Sequence, residues 1–228
     1  MGGGMQRHFD LELDKLKKQL LEMGKLVEKA ISASLEALEK LDAASAENVV
    51  RSDRAIDELE NALDERCLDL LALQQPMAGD LRFIAMSMKI STDLERMADL
   101  AVDIAQRVME LDGKPLLKPL VDIPKLAELA KRMTAEALLA FVEKDADAAA
   151  GIIMMDTEAD RLRNLIQKEL LEDFMAKDSS VISRAMPLLL IARHLERICD
   201  HATNIAEDVI YMVRADIVKH HPERLNLE

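Results

Sequence analysis

Aromatic side chains are nearly missing from this chain of 228 residues: it has four Phe, one Tyr at Tyr211, and no Trp. Strands draw on aromatic and β-branched residues, so the scarcity argues against a β-sandwich or barrel. Cysteine is equally scarce. Cys67 and Cys199 each fall in an apolar helical stripe, which reads as two reduced core thiols rather than a disulfide or a metal pair. Long apolar runs are absent too. The longest, such as 187–192, is stopped by Arg193 and His194, well short of the ~20 residues that span a bilayer. No apolar segment follows Gln6-Arg7-His8, so no secretory signal is expected and the cytoplasm is the default location. Positive charge is in deficit as well, with 30 Lys and Arg against 43 Asp and Glu, for a net charge of -13. Such a surface repels phosphate backbones and anionic lipid heads, which disfavours nucleic-acid and bare-membrane binding. Cations, or proteins with basic faces, are the partners it suits.

What is present is an apolar half built from Leu, Ile, Val, Ala and 14 Met. Helix breakers are few and clustered, at 75–79, 112–124, Gly151, 178–180, Pro187 and Pro222. Between them the sequence reads as long helices. Leu13, Leu16, Leu20, Met23, Val27, Ala30, Ser34, Ala37 and Leu41 recur at steps of three and four, the seam of a bundle helix. Val49, Ile56, Leu63 and Leu70 carry a second helix. A third opens near Pro76 and ends at Asp112-Gly113, a proline start and glycine stop.

The second half repeats this plan. Leu94-Glu-Arg-Met-Ala-Asp99 is echoed by Leu195-Glu-Arg-Ile-Cys-Asp200 at an offset of 101, and Asp53-Arg-Ala-Ile-Asp57 by Asp156-Thr-Glu-Ala-Asp160 at an offset of 103. Self-similarity of this kind marks one supersecondary unit used twice. The expected fold is all-α, with two tandem three-helix bundles, 1–113 and 114–228, related by an internal pseudo-twofold repeat. The proline-punctuated stretch 114–124 connects them.

Besides apolar residues, the repeat keeps carboxylates: Asp53 with Asp156, Asp57 with Asp160, Glu95 with Glu196, and Asp99 with Asp200. Glu60 and Asp64 are not kept, because Arg163 and Gln167 replace them. Each kept pair is spaced i, i+4 and so shares a helix face, and Glu95 falls within the run from Ile84 to Met109 that forms an apolar seam. If helices two and three of each half are straight and antiparallel, residues equidistant from the turn lie level. Asp57 and Glu95, like Asp53 and Asp99, are centred on residue 76; Asp160 and Glu196, like Asp156 and Asp200, are centred on residue 178. Both centres are predicted turns. At 1.5 Å rise per residue, each quartet lies roughly 27 Å from its turn. Asp103 and Asn204 extend the quartets by one more helical turn.

Four neighbouring carboxylates repel one another, so something positive should neutralise them. Arg96 and Arg197 follow the glutamates but point about 100° round the helix. A solvated acidic face is one reading, and hard-cation sites are the other. An all-oxygen donor set suits Mg²⁺, Mn²⁺, Ca²⁺ or iron rather than structural zinc. A di-metal carboxylate oxidase is the enzyme alternative, but such sites use Glu-x-x-His pairs, and no Glu here has a His three residues on. His194 and His201 flank Glu196 without counterparts in the first repeat and read first as helix-surface or packing residues; support of a metal ligand by His201, beside Asp200, is the second reading. Phosphate-binding loops and nucleophile elbows are also lacking, so no catalytic residue is assigned.

The segments Leu94 to Asp99, Arg193 to Tyr211 and Gln75-Pro-Met-Ala-Gly-Asp-Leu81 resemble the PhoU regulators of phosphate uptake. The resemblance covers nearly the whole chain. It implies two three-helix bundles, metal clusters (iron, Mn or Mg) at the acidic motifs, and a homodimer. It also implies a cytoplasmic, non-enzymatic role in repressing phosphate-starvation signalling, by bridging the phosphate ABC transporter and a membrane sensor histidine kinase. The metal ligands it implies are Asp53, Asp57, Glu95, Asp99 and Asp103, then Asp156, Asp160, Glu196, Asp200 and Asn204. A metal-binding helical scaffold without regulatory function is the remaining alternative. Two departures stand out. Ala98 and Cys199 replace a glycine usual in the family, which implies wider helix spacing and an oxidation-sensitive second site. Asn204 replaces the acid found at Asp103 and lowers the charge of the second site.

Overall fold

The structure, a computed structural model, describes residues 2–215, with side chains from Phe9 onward. Pro222 and the end of the second half lie outside the described residues. Helices α1 (Gly2–Lys40), α2 (Ala43–Ser52), α3 (Arg54–Gln74) and α4 (Ala78–Met109) make the first half. Helices α5 (Asp122–Glu143), α6 (Ala146–Lys168) and α7 (Ile182–Arg214) make the second. Among the described residues there is no strand. The fold is all-α, as the repeat predicts, with α2 and α3 acting as one helix bent at Asp53.

The predicted seams are largely the buried ones. Leu16, Leu20, Met23 and Val27 of α1 and Ile56, Leu63 and Leu70 of α3 are all buried. On α4 the core stripe is Leu94, Met97, Ala98, Ala101, Ile104, Ala105 and Val108. Glu95 sits at its half-buried edge, and Met109, counted in the expected seam, is 41% exposed.

Each half turns its first corner in the same way. Leu41 and Lys144 adopt left-handed φ values of 50° and 58°, and the following N–H groups close the ends of α1 and α5: Asp42 N to Ala37 O and Asp145 N to Ala140 O, both 2.9 Å. This is the Schellman closure. The Asp42 carboxylate then accepts from Ala44 N and Ser45 N, and Asp145 from Asp147 N and Ala148 N. Each capping contact stabilises its helix start by about 1 kcal/mol. The two corners are separated by the same 103 residues as the acidic pairs on the helices they open.

Three expected breakers do not break helices. Gly151 lies exposed inside α6, where a glycine costs about 1 kcal/mol against alanine and is tolerated. Pro124 stands in the first turn of α5, where no intrahelical N–H is needed. Pro187 lies inside α7 with its ring buried in the core, which offsets the missing backbone donor. The third helix also ends at Met109, before the predicted Asp112-Gly113 stop. At the second turn, α6 runs into a π-helical segment, Glu169–Met175, and a short 3₁₀ turn, Ser179–Val181, capped by Asp178.

The helices form two layers. α3, α4, α7 and α6 lie side by side in that order, and α1 and α5 pack together over one side of the row. The most extensive packing between any two helices is α4 against α7. This pair is antiparallel. Arg82 Nε donates to the Met212 carbonyl (3.0 Å), Asp93 meets His201 (2.8 Å), Lys89 pairs with Asp208, and Asp103 approaches His194 (3.7 Å). That register sets Ala98 about level with Cys199, both fully buried. A second link between the halves is Phe83 of α4 stacked on Phe141 of α5, with ring centroids 4.8 Å apart. One hydrophobic core therefore runs through both halves.

α1 and α5 approach closely at Gly24. A Cβ built there would lie 2.1 Å from Leu138 Cδ1, a side chain that is 2% exposed. Gly24→Ala should gain up to about 1 kcal/mol in helix propensity but lose about 1–3 kcal/mol to overpacking. The net effect expected is a lower melting temperature, with Leu138→Ala in the same chain costing less than the sum of the single changes. Additive effects in a denaturant-based double-mutant cycle would contradict the contact.

Candidate metal centre

On α3, burial of Ile56 and Leu63 leaves Asp53 and Asp57 along the groove beside α4, half-buried. On α4, Leu94 and Ala98 face the core and leave Glu95 half-buried and Asp99 exposed on the groove side. Charges on the two facing helices act on one another. Asp53 is pushed up to about 6, first by burial and then by the charges of Asp57 and Asp99. Glu95 is also pushed up to about 6, by burial and then by Asp99, Glu60 and Asp57, with Arg96 opposing. Asp99 is raised by burial, Asp57 and Asp103. Glu60, absent from the repeat, therefore belongs to this first cluster. Among the described residues, no Lys or Arg forms an ion pair with Asp53, Asp57, Glu60, Glu95 or Asp99.

The second hairpin brings its four acids together in the same manner. Asp156 is raised by burial, Asp160 and Glu196. Asp200 is pushed up to about 6 by burial and then by Glu196, Asp156 and Asp160. Here a cation is already in place. Arg163 Nη2 lies 2.9 Å from Asp160 Oδ1 and 3.0 Å from Glu196 Oε1, bridging α6 and α7. Arg163, Arg193 and Arg197 line a cleft of about 510 Å³ that also contains Glu196 and Asp200. The replacement of Glu60 by an arginine at the matched position was the sequence signal for this, visible but without meaning until the hairpin was assembled.

Other predicted residues fall elsewhere. Asn204 lines a cleft with Asp64, Lys89, Asp93, Arg96 and Asp208 between the halves. Asp103 acts on Asp99 but also lies toward His194, whose Nδ1 is buried without a hydrogen bond and whose basicity burial lowers. His201 pairs with Asp93 across the α4–α7 contact, and its charge also acts on Asp200, opposing the rise there. Cys199 is buried, and burial followed by the charges of Asp156, Asp200 and Glu196 raises its thiol pKa. A thiol so held is inert, which corrects the expectation of oxidation sensitivity. These non-local pairings left no trace in the spacing of the sequence.

Among the described residues, no three carboxylate, imidazole or thiol groups are gathered to ligate one ion as they stand. The first cluster nevertheless has the donor chemistry of a hard-cation site: carboxylate oxygens only, crowded, and lacking a bonded basic partner. The second cluster does not fit in the same way, because Arg163 stands between two of its acids.

The raised carboxyl groups set a pH dependence. Their native state holds protons more tightly than the unfolded chain, whose carboxyls titrate near ~4. The resulting stabilisation is complete below about pH 4 and is lost as pH rises through about 6. In chelator-treated protein, Asp53→Asn with Glu95→Gln should therefore flatten the fall in melting temperature across that window. Parallel melting curves for variant and parent would show that these acids do not crowd one another.

Comparison with known proteins matches the PhoU domain twice along the chain, at residues 20–108 and 123–209. The chain is 43% identical over 209 residues to a phosphate-specific transport system accessory protein PhoU homolog of Aquifex aeolicus, covering 92% of this chain and 94% of that one. It is 38% identical over 218 residues to the homolog from Pseudomonas aeruginosa, covering 95% and 89%. The crystal structure of PhoU from Pseudomonas aeruginosa superposes with a TM-score of 0.86 at 38% identity, over 91% of this chain and all of that one. The phosphate transport system regulatory protein PhoU from Streptococcus pneumoniae gives 0.86 at 34% identity, over 92% and 99%. Two domain matches that together take in both acidic hairpins, and relatives aligned over nearly their full length, place this chain in the PhoU family.

Proposed function

We propose that this chain is a non-catalytic, metal-dependent regulator of phosphate uptake. In this reading it is the accessory protein of a phosphate-specific transport system. It works in the cytoplasm as a homodimer, docking on the cytoplasmic subunits of a phosphate ABC transporter and on a sensor histidine kinase. When phosphate is plentiful it represses phosphate-starvation signalling. The observation that carries the reading is the double PhoU-domain match together with relatives named for that transport system. The absence of any described helix long and apolar enough to cross a membrane agrees with docking rather than insertion. Large apolar side chains exposed at the two hairpin tips, Leu73, Met77 and Leu81 at one and Leu171, Ile182 and Met186 at the other, offer protein-binding surface.

Asp53, Asp57, Glu95 and Asp99, with Glu60 and Asp103 at the margin, would hold the metal of the first hairpin. Asp156, Asp160, Glu196 and Asp200 are the matching acids of the second. A hard cation held by the first hairpin would supply counter-charge. The chain's own residues bring opposed carboxylates level across each hairpin and keep them apart from water on the core side. Iron, Mn²⁺ or Mg²⁺ suits such oxygen donors.

A ligand bound only by the native state raises stability by mass action. Chelation should lower the melting temperature, and Mn²⁺, Mg²⁺ or iron should restore it. Cells lacking the protein should express phosphate-starvation genes in high phosphate, and restoring it should silence them. Normal repression in the deletion strain would leave only a helical scaffold.

A further inference from the structure

The two hairpins repeat their acidic quartets but not what surrounds them. Four matched positions on the paired helices change in one sense: Glu60 to Arg163, Asp64 to Gln167, Thr92 to Arg193, and Asp103 to Asn204; of these, Asp64, Thr92 and Asn204 line the cleft between the halves. Each makes the second hairpin less negative. The first change has a direct structural outcome, the guanidinium bridge between Asp160 on α6 and Glu196 on α7. Arg163 is 28% exposed and Glu196 only 16%, so this contact is partly sheltered and its charge-assisted bonds are of the strong kind.

We propose that Arg163 is the built-in counter-ion of the second acidic hairpin, and that it confines multivalent-cation binding in this chain to the first. The inference rests on the metal-binding reading above. A guanidinium stays protonated at every accessible pH, so no change of acidity clears it from the cleft. A metal ion entering between Asp160 and Glu196 has to displace a cation already bonded to both, in a cleft that also holds Arg193 and Arg197. In the first hairpin the matched position holds Glu60, which adds to the negative field at Glu95. The repeat thus uses one scaffold to hold its acids in two ways: the second hairpin is closed by its own arginine, and the first requires a cation from solution.

The test counts Mn²⁺ bound per chain, by calorimetric titration and by elemental analysis after dialysis, on full-length protein stripped with chelator. Glu95→Gln with Asp99→Asn should abolish binding, and Glu196→Gln with Asp200→Asn should leave the Mn²⁺ count unchanged. Arg163→Glu, which installs the residue type of position 60, should raise the count, and the added Mn²⁺ should disappear when Glu196→Gln and Asp200→Asn are combined with it. Arg163→Gln serves as the milder variant, with circular dichroism confirming helical content for both. A loss of Mn²⁺ from the parent on changing Glu196 and Asp200 would overturn the inference while leaving the metal-binding reading standing. So would an unchanged count in both Arg163 variants. A parent that binds no Mn²⁺, or binds it regardless of Glu95 and Asp99, would overturn both.

Discussion

Carboxylates that repel one another are held face to face across the α3–α4 hairpin because the apolar residues beside them leave no alternative. Ile56 and Leu63 on α3 and Leu94 and Ala98 on α4 are buried, and their burial contributes more than the few tenths of a kcal/mol lost to each exposed like-charge pair. The helices meet where their cores meet, and the acids follow. Partial burial then strengthens the repulsion, because the charged forms lose part of their hydration. The groove is consequently under electrostatic load that only protons, a metal ion or a basic side chain can relieve. Among the described residues, the second hairpin has such a side chain bonded to its acids, Arg163, and the first has none so bonded.

Much of this was legible in the sequence because it follows from periodicity. A constant offset of 101 residues between Glu95 and Glu196, and of 103 between Asp57 and Asp160, is enough to find the repeat. A straight-helix calculation from the two turns is enough to set the acids level. Features that depend on distant side chains were not legible. The pairing of Asp93 with His201 joins residues 108 positions apart, and no local pattern requires it. The corners at Leu41 and Lys144 were missed for a different reason. Left-handed residues are ordinarily signalled by glycine, and here the caps Asp42 and Asp145 specify the turn instead. Gly151 and Pro187 misled for the converse reason, since burial and helix context outweigh propensity.

Arg163 shows how a repeat hides its own exceptions. Comparing the halves directs attention to what is kept, and the position where Glu60 faces an arginine is set aside as noise. In the folded hairpin that position projects into the groove, where a change from acid to base reverses the local field. One side of the four-helix row is covered by α1 and α5.

The antiparallel contact of α4 with α7 also bears on how the two halves depend on each other. Each of these helices buries one flank within its own half and the other against its counterpart. A polypeptide of one half alone would present the flank of α4, including the level of Ala98, to water. A unit of this kind covers that flank only where a second copy meets it, and a chain that carries both copies makes the contact within itself. The copies need not be identical, so the two grooves differ at single positions, as Glu60 and Arg163 do, over one shared core.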